Sequence, residues 1–229
     1  EPEGNKTTEE DLKEKLDGIV SSVDTGAREV TSWAGKFLAL IALSWSLFQL
    51  WIASPFPYMF ADWIPLLNST HTRSAHLGFA MFLAFVAFPA LKRSPRKFVP
   101  IQDWIFALTA TCSALYIAVF SNELADRPGL PILQDLVLSG IGLVFLLEAT
   151  RRSLGLPMMC IALLFLSYVF FGENAPEIIA WKGASFNKAM SHMWLSQEGV
   201  FGIGLGVSTG FIFLFVMFGA LLEKAGAGN

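Results

Sequence analysis

The chain has 229 residues, 54% of them hydrophobic and 15% charged, with a net charge of −3. That balance argues against a nucleic-acid partner, which calls for a concentrated basic surface, and several uncharged runs of near-spanning length make the bilayer its solvent. Backbone groups in lipid must be satisfied within helices, so the expected fold is all-α: a polytopic membrane protein with about six transmembrane helices plus interfacial amphipathic helices.

The sequence opens on Glu1 and shows no apolar leader with a cleavage site, so it is expected to begin inside a longer chain. Residues 1–7 are polar. Thr7 to Glu10 has capping-box spacing, after which Leu12, Leu16, Ile19, Val20, Val23, Ala27 and Val30 recur with helical period. Residues 1–32 therefore read as an amphipathic N-terminal segment. Its acidic face (Glu9, Glu10, Asp11, Glu14, Asp17) suits a protein surface better than an anionic lipid surface. A solvated extension fits the same pattern.

The first span is expected from about Trp33 to Ala53. Residues 54–66 are broken by Pro55, Pro57 and Pro65 yet rich in aromatics, which places them as a membrane-lying elbow at headgroup level. His76–Leu91, Trp104–Ser121, Ile132–Ala149 and Leu156–Phe171 supply four more spans, with turn chemistry (Pro128, Gly129, Pro131) between the third and fourth. A second amphipathic piece follows, with Phe186, Ala189, Met190, Met193 and Trp194 on one helical face. The sixth span, Val200–Leu222, has no charged residue. Its first half carries Gly202, Gly204, Gly206 and Gly210, and its second half Phe211, Phe213, Phe215 and Phe218. Glycine costs ~1 kcal/mol against alanine within a helix, so these four need a reason. Close helix–helix packing is the first; a helix built to loosen along a transport path is the second.

Short-loop basic residues set orientation. Lys92, Arg93, Arg96 and Lys97 follow the second span and Arg151 and Arg152 the fourth, against Arg73, Arg127, Lys182 and Lys188 on the opposite side. The N-terminus and the Lys92–Lys97 loop are thus expected in the cytoplasm.

Polar groups in or near spans are Gln49, His76, Asp103, Gln134, Asp135 and Glu148, and ionisable groups at such positions raise a functional question. Asp103 falls at a helix start, where a carboxylate is favoured. Glu148 lies within a turn of Arg151 and Arg152 and reads as half of an interfacial ion pair. Gln134 and Asp135 read as helix-end or interhelical hydrogen-bonders. His71, His76 and His192 do not fall at matching depths, which disfavours paired haem ligation. Cys112 and Cys160 sit in apolar runs without ligand spacing and read as small buried hydrophobes. Nucleophile-elbow, H-E-x-x-H and P-loop patterns are missing, so no enzyme activity, catalytic residue, metal site or cofactor is expected, and no ATP-driven step by this chain. Asn5-Lys-Thr7 and Asn68-Ser-Thr70 match the glycosylation pattern, which is too permissive to weigh.

At Thr150-Arg-Arg-Ser-Leu-Gly-Leu-Pro-Met-Met159, and more extensively at Gln197-Glu-Gly-Val-Phe-Gly-Ile-Gly-Leu-Gly-Val-Ser-Thr-Gly-Phe-Ile-Phe-Leu-Phe-Val-Met-Phe-Gly-Ala-Leu-Leu-Glu-Lys-Ala-Gly-Ala-Gly228, the chain resembles the fused permeases of tripartite ATP-independent periplasmic (TRAP) transporters, in their TAXI branch. The resemblance extends over roughly residues 33–229. It implies a secondary active transporter of the bacterial inner membrane, taking up small organic acids handed over by a periplasmic substrate-binding protein and driven by a Na+ or H+ gradient. It further implies that 33–152 form a Q-type four-helix membrane domain and 153–229 the first helices of the M-type transport domain. The family's substrate- and ion-holding hairpins would follow Gly228. Substrate-binding residues in this chain are therefore unknown, and the remainder of the M-type subunit is an expected partner. The competing reading is a structural or anchor subunit of another bacterial membrane complex, without transport activity.

Overall fold

The structure, a computed structural model, describes residues 26–28, 30, 33–63, 65–91 and 93–226. The molecule is 70% helical, and no strand occurs among the described residues. Helix α1 is Trp33–Ala53, followed by the one-turn α2, Phe56–Met59, and by α3, Ser69–Ala87. Then come α4 (Ile101–Val119), the short α5 (Ser121–Ala125), α6 (Leu133–Ser153) and α7 (Leu156–Phe171). A 3-10 turn at Gly172–Asn174 leads to α8 (Phe186–Met193), and the chain closes with α9 (Ile203–Val207), a π-helical turn (Ser208–Ile212) and α10 (Phe213–Lys224).

Local chemistry sets several of these boundaries. The Asn68 side chain accepts from the His71 N–H (2.9 Å) and starts α3, while the Ser185 hydroxyl caps α8. Pro100 precedes α4, whose first turn holds Asp103. Between α6 and α7 the backbone reverses at Gly155, whose φ of 90° is a region open chiefly to glycine, and Pro157 falls in the first turn of α7.

Five helices are long and apolar enough to cross a membrane: α1, α4, α6, Leu156–Asn174, and the composite Ile203–Lys224. The anticipated second span, α3, is not among them: it is 19 residues long but begins seven residues before His76 and opens on Ser69, Thr70, His71, Thr72, Arg73 and Ser74. Its polarity is accommodated by position, because α3 packs against α1, α4, α6 and the final helix at the centre of the bundle.

Helices α3 and α4 form the most extensive pair. On α4 the small residues Ala107, Ala110, Ser113 and Ala114 recur every three or four positions and are fully buried, which lets α3 approach closely with Leu77, Met81 and Phe85. Phe85 meets Phe106 and Phe145 edge-on, at centroid separations of 6.1 and 5.5 Å.

Several expectations are corrected here. Trp194 was anticipated in an interfacial piece; it is wholly buried, donates its indole N–H to the Ser113 carbonyl (3.1 Å) and stacks edge-on with Phe201. It lies where a side chain on residue 142 would be, so Gly142 of α6 is what admits the indole ring. Phe186, on the same short helix, stays exposed. Cys112 and Cys160 are not buried; both lie on the outer surface of the bundle. The N-terminal amphipathic helix lies outside the described residues up to position 25, but its anticipated continuation through Ala27 and Val30 is not helical. Gly26 has φ of 61°, and the Arg28 N–H bonds the Ala87 carbonyl (2.8 Å) instead.

Large apolar side chains cover the outside. Leu164, Phe165, Phe211, Phe215 and Val216 are each more than 60% exposed, as expected where hydrocarbon rather than water is the surrounding medium.

Candidate functional site

A polar cluster ties α1 and α3 to the π-turn of the last helix. Gln49 of α1 is 1% exposed, and its Nε2 lies 2.6 Å from His76 Nδ1 on α3 and donates to the Thr209 carbonyl at 3.1 Å. Trp45, one helical turn earlier on α1, donates its indole N–H to the same His76 Nδ1 at 3.2 Å. Two donors converging on Nδ1 assign the ring proton to Nε2, which stands 3.2 Å from the Ser208 hydroxyl. Aromatic rings close the cluster: Phe213 packs on Trp45 (4.7 Å between centroids) and edge-on to His76 (5.7 Å). Gln49 Oε1 is buried without a hydrogen-bond partner among the described residues.

The element so held is unusual. From Ser208 to Ile212 the helix widens, and the Phe213 N–H bonds back to the Ser208 carbonyl in the i→i+5 pattern. Gln49 takes up the Thr209 carbonyl in the same turn, while the Thr209 hydroxyl returns to the Leu205 carbonyl at 2.7 Å. Close approach, the first of the two reasons anticipated, accounts for two of the glycines around this turn. A Cβ on Gly202 would stand 2.7 Å from the Glu198 carbonyl oxygen, and one on Gly206 2.8 Å from the Arg73 guanidinium, so these two serve close approach. Gly204 and Gly210 meet nothing within 4 Å in this chain. Arg73 in turn donates to the Phe201 carbonyl (2.9 Å), and Gln197 to the Thr70 hydroxyl (2.5 Å), so the start of α3 also grips the entry to the last helix.

A second, charged network closes one end of the bundle. Asp103, 1% exposed, pairs with Arg28 through Oδ2 and with Arg152 through Oδ1 (2.9 Å). Arg152 also meets Glu148 at 2.8 Å and lies over the Phe85 ring at 4.7 Å. Arg151 chelates Glu148 with two bonds of 2.7 Å and donates to the Ala90 carbonyl at 2.8 Å. The Glu148 ion pair thus has the partners its spacing suggested. Asp103 does more than face a helix start, because it neutralises arginines 75 and 49 residues distant in the chain. No local pattern shows such pairings; an acidic residue inside an apolar helix start was the available signal.

At the opposite end, Asp135 is fully buried and accepts from Tyr116 (2.5 Å), Arg127 (3.1 Å) and the Ile132 N–H (3.0 Å), serving as both cap and interhelical bridge. Gln134 is exposed and joins no site. His71 bonds its capping neighbour Asn68, and His192 pairs with Glu198 at the surface (3.1 Å). Among the described residues no group of three or more His, Cys, Asp or Glu side chains could hold a metal ion. The buried polar side chains Gln49, His76, Asp103 and Asp135 each join one helix to another. Compared with protein families, curated proteins and solved structures, the chain matches none.

Proposed function

We propose that this chain is the membrane scaffold and the start of the transport domain of a secondary active transporter of the TRAP type. In this reading it lies in the bacterial inner membrane with its N-terminus cytoplasmic. A periplasmic binding protein delivers small organic acids, and a Na+ or H+ gradient drives their uptake. The sequence resemblance over Gln197–Gly228 is one support. The observation that carries the reading is the π-turn at Ser208–Ile212, held by Gln49 and His76 of the preceding bundle. A weakened turn inside a spanning helix, gripped by polar side chains from its neighbours, suits the joint between a bracing part and a moving part. Single π-turns inside helices frequently mark functional positions, and polar side chains retained at such depth carry a cost that function offsets.

Proteoliposomes holding the chain together with the rest of its permease and a cognate binding protein test the proposal. Accumulation of a small organic acid should follow an imposed Na+ or H+ gradient, need the binding protein and ignore ATP. Co-purification with an unrelated complex and no gradient-driven accumulation would instead favour an anchor subunit.

A further inference from the structure

Below the charged network, between the loop after α3 and the α6–α7 reversal, lies an open recess of about 790 Å3. Its polar wall is Arg96, Arg151 and Arg152, and its apolar wall includes Leu91, Leu156 and Pro157. We propose that this recess binds the phosphodiester headgroup of an anionic phospholipid. The phosphate would sit against Arg96 and Arg151 and the start of an acyl chain along Leu91 and Leu156.

Three observations carry the assignment. The first is a charge imbalance. Among the described residues Arg28, Arg151 and Arg152 pair with Asp103 and Glu148, three positive groups against two negative, and Arg96 makes no ion pair. These described residues give the recess an excess of positive charge beside apolar walls, where an anion is worth more than in water. The second is donor supply. Arg151 spends Nε and Nη2 on Glu148 and Ala90, and its Nη1 has no acceptor among the described residues. A phosphate oxygen suits a guanidinium N–H of that kind. The third is depth. Arg151 and Arg152 lie in the last turn of one spanning helix, and Leu156 begins the next, which is headgroup level. Leu91 and Leu156 are 65% and 59% exposed, so the apolar wall faces outward where acyl chains run. A free phosphate would use the arginines and ignore that wall. The volume falls within the ~300–1,000 Å3 typical of small-molecule sites, and basic recesses between spanning helices on the cytoplasmic side are suited to anionic headgroups.

The test is a thermal melt of the purified chain in neutral detergent micelles, titrated with phosphatidylglycerol, phosphatidylcholine or inorganic phosphate. Phosphatidylglycerol at ~100 times its Kd should raise Tm by about 5 °C or more, and phosphatidylcholine should not. R96Q should abolish the shift. R93Q, on the same exposed loop outside the recess, should keep it. An equal shift with phosphatidylcholine overturns the proposal, and so does a full shift in R96Q. Equal loss in R93Q and R96Q would mean diffuse surface charge and also overturn it. If inorganic phosphate reproduced the shift at matched concentration, the site would be a phosphate site and the lipid assignment would fall.

Discussion

Asp103 stands between Arg28 and Arg152, and all three side chains are at most 1% exposed. Removing one partner from a buried ionic group leaves the other charges uncompensated, a loss of about 3–5 kcal/mol. Asp103→Ala should therefore melt well below the unaltered protein and give less folded material in membranes; an unchanged Tm would show that Arg28 and Arg152 find other acceptors. Gln49 is a different case. Its amide restrains a turn rather than neutralising a charge, and Gln49→Leu leaves the buried Thr209 carbonyl without its donor, a loss of about 1–3 kcal/mol. Backbone hydrogen exchange measured across residues 208–213 should quicken in that variant while α4 stays protected. Equal protection in both proteins would mean that the π-turn does not depend on α1.

The composite last helix poses a question about elements, because Gly210 sits in the π-turn and meets nothing within 4 Å. Alanine there should favour the helix by ~1 kcal/mol. If the turn must loosen during transport, Gly210→Ala should preserve or raise Tm and lower the initial uptake rate. If it only makes room for a neighbour, the same change should disturb assembly with the rest of the permease. Measuring both quantities on one variant separates the two. The places of five spans were legible in the sequence, since an uncharged run such as Val200–Leu222 is a local property, whereas the polar start of α3 was not. The first span, Trp33–Ala53, has the anticipated ends. The π-turn was legible only as a cluster of unexplained glycines. Its partners could not be read, because Gln49 and Thr209 are 160 residues apart and no spacing rule joins them. Asp135 was recognisable as a helix-end residue, whereas the inward turn of Trp194 depends on a missing side chain at Gly142, in another element altogether.

For the molecule as a whole, surface exposure has a meaning set by lipid. Cys112 and Cys160 lie on the outside of the bundle, within helices long and apolar enough to span. A side chain facing hydrocarbon is out of reach of a reagent confined to water. Water-soluble maleimides should thus label neither cysteine in intact membranes and both after denaturation in detergent. Rapid labelling of Cys112 in membranes would place α4 beside water and require a different arrangement of spans. The indole of Trp194, meanwhile, fills the gap over Gly142 and bonds the carbonyl of Ser113. It thereby fastens the stretch after α7 to two helices formed earlier in the chain. A protease that nicked the exposed residues 176–180 would sever the polypeptide without releasing its last fifth. The two fragments should elute together from a sizing column, and in Trp194→Ala they should part at a lower denaturant concentration, the contacts of Gln49, His76 and Arg73 remaining.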